Sequence, residues 1–150
     1  MPQDLVSFAA IFFSGLALVP AAAHALELSN KMRLPRQEYL VAQKLYRGWQ
    51  RVAPVVLLAL ASTGMLLAEL RGAAPAPLAA AIVAFACVAA TQGVFWAFTF
   101  PVNRATRDWT EAPANWESLR RRWEYSHAAS AVLNLVAFGA AVLAALWSQA

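Results

Sequence analysis

Charged residues are scarce in this chain: acidic and basic side chains make up 13% of its 150 residues, against 61% apolar ones. Soluble domains carry about a quarter charged residues, so the shortfall excludes that class and points to a membrane protein. Cysteine is nearly absent. Cys87 stands alone in the middle of an apolar run, which excludes an intrachain disulfide and a thiolate metal cluster and leaves a packing role. The chain also lacks a G-x-S-x-G elbow, a phosphate loop, a C-x-x-C-H haem attachment and an H-E-x-x-H pair. Standard hydrolase, kinase and cytochrome readings therefore have nothing to rest on. One uncharged stretch runs from Ala128 to Trp147, 20 residues without Asp, Glu, Lys or Arg.

That stretch directly follows Arg120, Arg121, Arg122, Trp123, Glu124, Tyr125, Ser126 and His127. A basic triplet against about 20 uncharged residues marks the cytoplasmic end of a transmembrane helix. His127 then lies near the water–lipid boundary. Three further apolar runs reach crossing length, giving spans at about 5–26, 52–70, 78–100 and 127–147 in a single domain covering residues 1–150. The first run is no cleaved signal peptide on this reading, since Met1 to Asp4 offers no basic n-region. Pro20 bends that span and Pro101 closes the third. Between spans one and two, Pro35 opens a short helix in which Tyr39, Gln43, Tyr46 and Trp49 recur at helical spacing, as in a helix lying in the membrane interface. Asn115 is a natural N-cap for the last helix. If that helix runs from Trp116 to Trp147, it is about 48 Å long, several turns more than a bilayer core requires.

The twelve Lys and Arg fix the orientation. Eleven of them fall in the first and third connections and only Arg71 in the second. The positive-inside rule makes the basic loops 27–51 and 102–123 cytoplasmic and puts both termini on the opposite side. This pattern also accounts for the net charge of +4 without a nucleic-acid partner. The predicted architecture is all-α, an integral-membrane four-helix bundle running up-down-up-down with a short interfacial helix after span one. The expected setting is a bacterial inner membrane.

The chain's two histidines, His24 and His127, fall at the same membrane face. On helical spacing His127 shares a side of its helix with Trp123, Glu124 and Asn134, and the third span carries Gln92, Trp96, Thr99 and Asn103 as a stripe. These groups form either a polar pocket or a set of interhelical hydrogen bonds that hold the bundle together. His24 with Glu27, and Glu124 with His127, are i, i+3 pairs that a mononuclear metal would accept. The same residues also suit pairing with the nearby arginines.

Phe100, Pro101, Val102, Asn103 and Arg104, then Asp108 and Trp109, then Ala114, Asn115 and Trp116, then Leu119 to Glu124 and His127 resemble the C-terminal signature of the anthrone-oxygenase-like family. That family consists of small four-span membrane proteins, otherwise a domain of unknown function. Leu34, Pro35, Gln43, Tyr46 and Arg47 resemble its first connection, so the likeness covers most of the chain. Many members carry Arg two positions after the histidine, where this chain has Ala129. The resemblance implies an oxygenase or oxidoreductase acting on an apolar, anthrone- or phenol-like substrate with molecular oxygen, with no cofactor or with a metal. For such a reaction the residues present suggest His127 as base, with Asn103 or His24 orienting the substrate oxygen. Trp96 and Trp123 form ring walls, and Gln92, Asn134 and Arg121 complete the substrate contacts. The alternative is a non-enzymatic membrane subunit or scaffold.

Overall fold

The computed structural model describes residues 3–149, and within them every regular element is helical. Helix α1 covers Gln3–Lys31, α2 Arg36–Gln43, α3 Ala53–Glu69, α4 Pro75–Val94, α5 Phe100–Thr106 and α6 Trp116–Trp147. A π-helical turn, Phe95–Thr99, joins α4 to α5 without a break, and 3₁₀ turns at Lys44–Tyr46, Trp49–Val52 and Leu70–Gly72 complete the path. Four helical stretches are long and apolar enough to cross a membrane: Gln3–Lys31, Trp49–Gly72, Pro75–Thr106 and Trp116–Trp147. Helix α1 packs on α3, α3 on α4, α4 on α6 and α6 on α1. The ring closes as a four-helix bundle of an integral membrane protein.

The core reverses the habit of soluble bundles. Ala10, Ala17, Ala59, Ala81, Ala84, Ala137, Ala141 and Ala144 are buried between the helices, while Val19, Leu57, Ile82, Val132 and Leu135 point outward. In lipid nothing is gained by hiding large apolar side chains from the outside medium. Small residues let backbones approach and gain van der Waals contact, so they collect at the seams. Gly15 and Gly64 do the same beside the rings of Phe138 and Phe85, each within 3.3 Å of where a Cβ would stand. Several hydroxyls in the spans are satisfied locally. Thr63 Oγ1 donates to the Ala59 carbonyl at 2.7 Å and Thr91 Oγ1 to that of Val88 at 2.7 Å.

Three local expectations are corrected. Pro101 does not close the third crossing, because the helix continues to Thr106. A proline removes a hydrogen bond to the carbonyl four residues back and crowds it, here that of Ala97. The π-turn absorbs the misfit, and the Ala97 carbonyl accepts instead from Arg122 Nη2 at 2.5 Å. The interfacial helix is also shorter than its aromatic spacing suggested. It ends at Gln43, and Gly48 at φ 90° turns the chain into the next 3₁₀ segment, a left-handed conformation that suits glycine. Asn115 sits at the N-cap of α6 without a side-chain cap bond; its carbonyl accepts from Ser118 and Leu119 instead.

The alanine seam makes a direct prediction. Ala141→Leu forces a branched side chain into a fully buried position and should destabilise the bundle by about 1–3 kcal/mol. Leu135→Ala on the outer face should be nearly neutral. Thermal unfolding of both variants in detergent checks the contrast.

Candidate functional site

The basic end of the bundle holds a buried polar cluster whose centre is Lys31. Because α1 runs on past Leu26, His24, Glu27 and Lys31 fall at i, i+3 and i+7 on one helical face. Lys31 Nζ lies 3.0 Å from His24 Nδ1, 2.9 Å from Glu124 Oε2 and 3.6 Å from Glu27 Oε2. An ammonium can only donate, so Nδ1 of His24 is the acceptor. Glu124 is buried on α6, and its other oxygen accepts from Tyr39 Oη at 2.9 Å and Gln43 Nε2 at 3.5 Å. Glu27 is half exposed and accepts from the Tyr46 hydroxyl. A buried charge is tolerable only when paired and hydrogen-bonded, and here one lysine and two carboxylates supply each other.

The imidazoles of His24 and His127 stack, with centroids 4.2 Å apart and planes 27° from parallel. Tyr46, Trp49 and Trp123 surround His24 at 4.4, 5.4 and 5.0 Å, and Trp123 also meets His127 at 4.2 Å. Nε2 of His127 is buried without a hydrogen-bond partner among the described residues.

Outside this shell Arg120 donates to the carbonyls of Leu34 at 2.8 Å and Lys31 at 3.5 Å, and its guanidinium lies over the ring of Trp116 at 4.6 Å. It thus ties the C-terminal end of α1 to α6, where a cation also complements the helix dipole. Below it, Arg107, Asp108 and Trp109 adopt φ values of 47°, 54° and 59°. Three successive left-handed residues are costly. The cost is offset where the Asp108 and Glu111 amides return to the Asn103 and Thr106 carbonyls, and where Trp109 packs edge-on against Tyr39 at 5.0 Å.

The sequence-derived site divides. His24, His127, Glu27, Glu124 and Trp123 come together around Lys31. Asn103 is close by, but its Oδ1 accepts from Trp123 Nε1 at 2.8 Å, so it fixes an indole rather than facing the imidazoles. Trp96 is 60% exposed and packs on Phe95 and Phe100, so it is no wall of this site. Gln92 turns its amide to Thr91, Arg121 is exposed on an outer groove, and Asn134 is buried about 10 Å further along α6. The residues named as metal ligands do not form a three-donor group; among the described residues no three His, Cys, Asp or Glu do. The Lys31 ammonium stands between them, and its positive charge opposes a second cation there.

Sequence reasoning missed Lys31, Tyr39, Gln43 and Tyr46 as members of the site. The signal for Lys31 was its i+7 distance from His24. The spacing of the other three is visible, but on its own it directs their rings and amide to the headgroup layer, whereas Tyr39 is 0% exposed.

Burial first, then the Glu124 carboxylate, raises the Tyr39 phenol above its ordinary value of 10.0; burial and Glu27 raise Tyr46 likewise. A raised folded-state value means stability that is intact below about pH 10 and lost as pH rises beyond it. Urea denaturation should therefore show stability falling above about pH 10, and less steeply in Tyr39→Phe. Glu124→Gln leaves Lys31 without its buried partner and should cost about 3–5 kcal/mol, with part recovered in the Lys31→Met, Glu124→Gln double variant. No family model, curated protein or solved structure matches this chain.

Proposed function

We propose that this protein is a membrane oxidoreductase that oxidises a flat, apolar, phenol-like substrate of the anthrone type with molecular oxygen, using the histidine pair as its base. The observation that carries this reading is the unpartnered, buried Nε2 of His127, stacked against an imidazole that is itself held by a lysine. Burial of a polar atom without a partner costs free energy, and a substrate hydroxyl or acidic C–H would supply the missing partner. The motif resemblance around Asn103, Trp109, Trp123 and His127 points the same way.

The chemistry needs little from the protein beyond placement and proton transfer. His127 takes a proton from the substrate, leaving an electron-rich anion that Trp123 stacks against and Lys31 stabilises by charge. Electrons pass from the anion to oxygen, and a carbon–oxygen bond forms. One oxygen atom becomes the new carbonyl and the other leaves as water, so an anthrone and one O₂ give an anthraquinone and one H₂O. Glu27, half exposed and 3.6 Å from Lys31, offers an outlet for the proton. On this reading the basic connections are cytoplasmic, as in a bacterial inner membrane, and the substrate arrives through lipid.

A second reading rests on a different observation: apart from His127, the cluster's histidine and charged groups pair with one another across α1, α2 and α6. The cluster would then be a structural clasp in a non-enzymatic subunit. His127→Phe separates the two, since it keeps a stacked ring and removes both nitrogens. Oxygen-electrode measurements with anthrone and detergent-purified protein should show uptake reduced at least 100-fold in His127→Phe with unchanged thermal stability. No uptake by the native protein, or a variant that is equally active, would sink the enzymatic reading.

A further inference from the structure

The π-turn and the start of α6 form a second feature on the outer surface, away from the histidines. Val94 and Phe98 on one side and Arg121, Arg122, Tyr125, Ser126 and Ala129 on the other enclose a groove of about 450 Å³. Its lower part is apolar and open: Phe98 is 48% exposed and Tyr125 56%. Arg121 and Arg122 line its upper end, and among the described residues neither forms an ion pair with a carboxylate. Arg122 is held in place by the Ala97 carbonyl, at 2.5 Å, and by the face of Phe98, at 5.4 Å. The carbonyl is available because Pro101 cannot donate to it, so a backbone irregularity fixes where this cation stands.

Depth supports a single kind of occupant. From Arg121 to Ala129 the groove follows α6 for about 12 Å, entering the uncharged stretch at its lower end. A molecule lying there meets two cations at headgroup level and an aromatic, then aliphatic, trough at acyl-chain level.

We propose that this groove is a binding site for one anionic phospholipid, its phosphate between Arg121 and Arg122 and one acyl chain along Phe98, Tyr125 and Ala129. Arginine suits the phosphate because its planar donors engage two oxygens at once. The site is separate from the histidine cluster and does not depend on the proposed chemistry.

The test is native mass spectrometry and thermal unfolding of detergent-purified protein titrated with phosphatidylglycerol, phosphatidylcholine or inorganic phosphate. Phosphatidylglycerol should be retained as a one-to-one adduct and raise the unfolding temperature, with little response to the other two. Arg121→Gln with Arg122→Gln should weaken its retention about thirtyfold, about fivefold per cation removed. Arg33→Gln with Lys44→Gln removes the same charge from elsewhere on the basic end and should leave retention intact. Ala129→Trp, which fills the apolar trough without touching charge, should also reduce it. Equal loss in the two charge doubles would show general surface attraction and overturn the site. So would an equal response to phosphatidylcholine, or a response to inorganic phosphate that matches that to the lipid. If the arginine double variant is misfolded by circular dichroism, the Ala129→Trp result decides: undiminished retention there refutes the proposal.

Discussion

The contact between the Lys31 ammonium and the Glu124 carboxylate is the one on which the basic end of the molecule depends. It joins the last turn of the first helix to the last helix across a region with little water. Neither charge is tolerable there without the other. Once the pair is made, its remaining hydrogen-bonding capacity recruits everything nearby. Glu124 draws Tyr39 and Gln43 down from the first connection, and Lys31 orders His24 and approaches Glu27, whose carboxylate holds Tyr46. The connection that would otherwise lie loosely on the membrane surface is folded over the bundle as a cap. Trp109 and Trp123 fill the space beneath it, and the stacked imidazoles occupy what is left.

The bundle itself was largely legible in the sequence. Long uncharged runs separated by basic and neutral connections permit few arrangements, and the abundance of alanine identifies seams packed backbone to backbone. The candidate site was legible only in part. His24, Glu124 and His127 could be placed at one level because each lies on a helix whose rise is known. Lys31 was lost because a drop in hydropathy at Glu27 reads as the end of a helix, while backbone hydrogen bonding carries α1 on to the lysine. Tyr39 and Gln43 were given the right face and the wrong neighbour, since periodicity reports which side of a helix is special without saying what lies against it.

The third crossing shows a different limit. Gln92, Trp96, Thr99 and Asn103 form a neat stripe on a regular helix, but the π-turn at Phe95–Thr99 inserts extra backbone into the repeat. Residues on its two sides are thereby out of phase. Within the turn itself Trp96 faces outward, whereas Thr99 is buried and bonds Ser126 at 2.8 Å. Only the combined effect of Pro101, the Ala97 carbonyl and Arg122 explains the change, and one member of that set is 21 residues away in the chain.

The alanine seams have a mechanical consequence. Large side chains interlock like teeth and resist both sliding and rotation of one helix against another, whereas faces of methyl groups are comparatively smooth. Through its middle, the bundle therefore has close contact, and the Phe138 ring on Gly15 and the Phe85 ring on Gly64 are among the few features that index one helix axially against the next. The rest of that task falls to the basic end, where ionic, aromatic and backbone contacts key α1, α2, α5 and α6 to one another. A screw or piston motion of α1 against α6 would have to release that end, which makes the polar cluster the latch between those two helices.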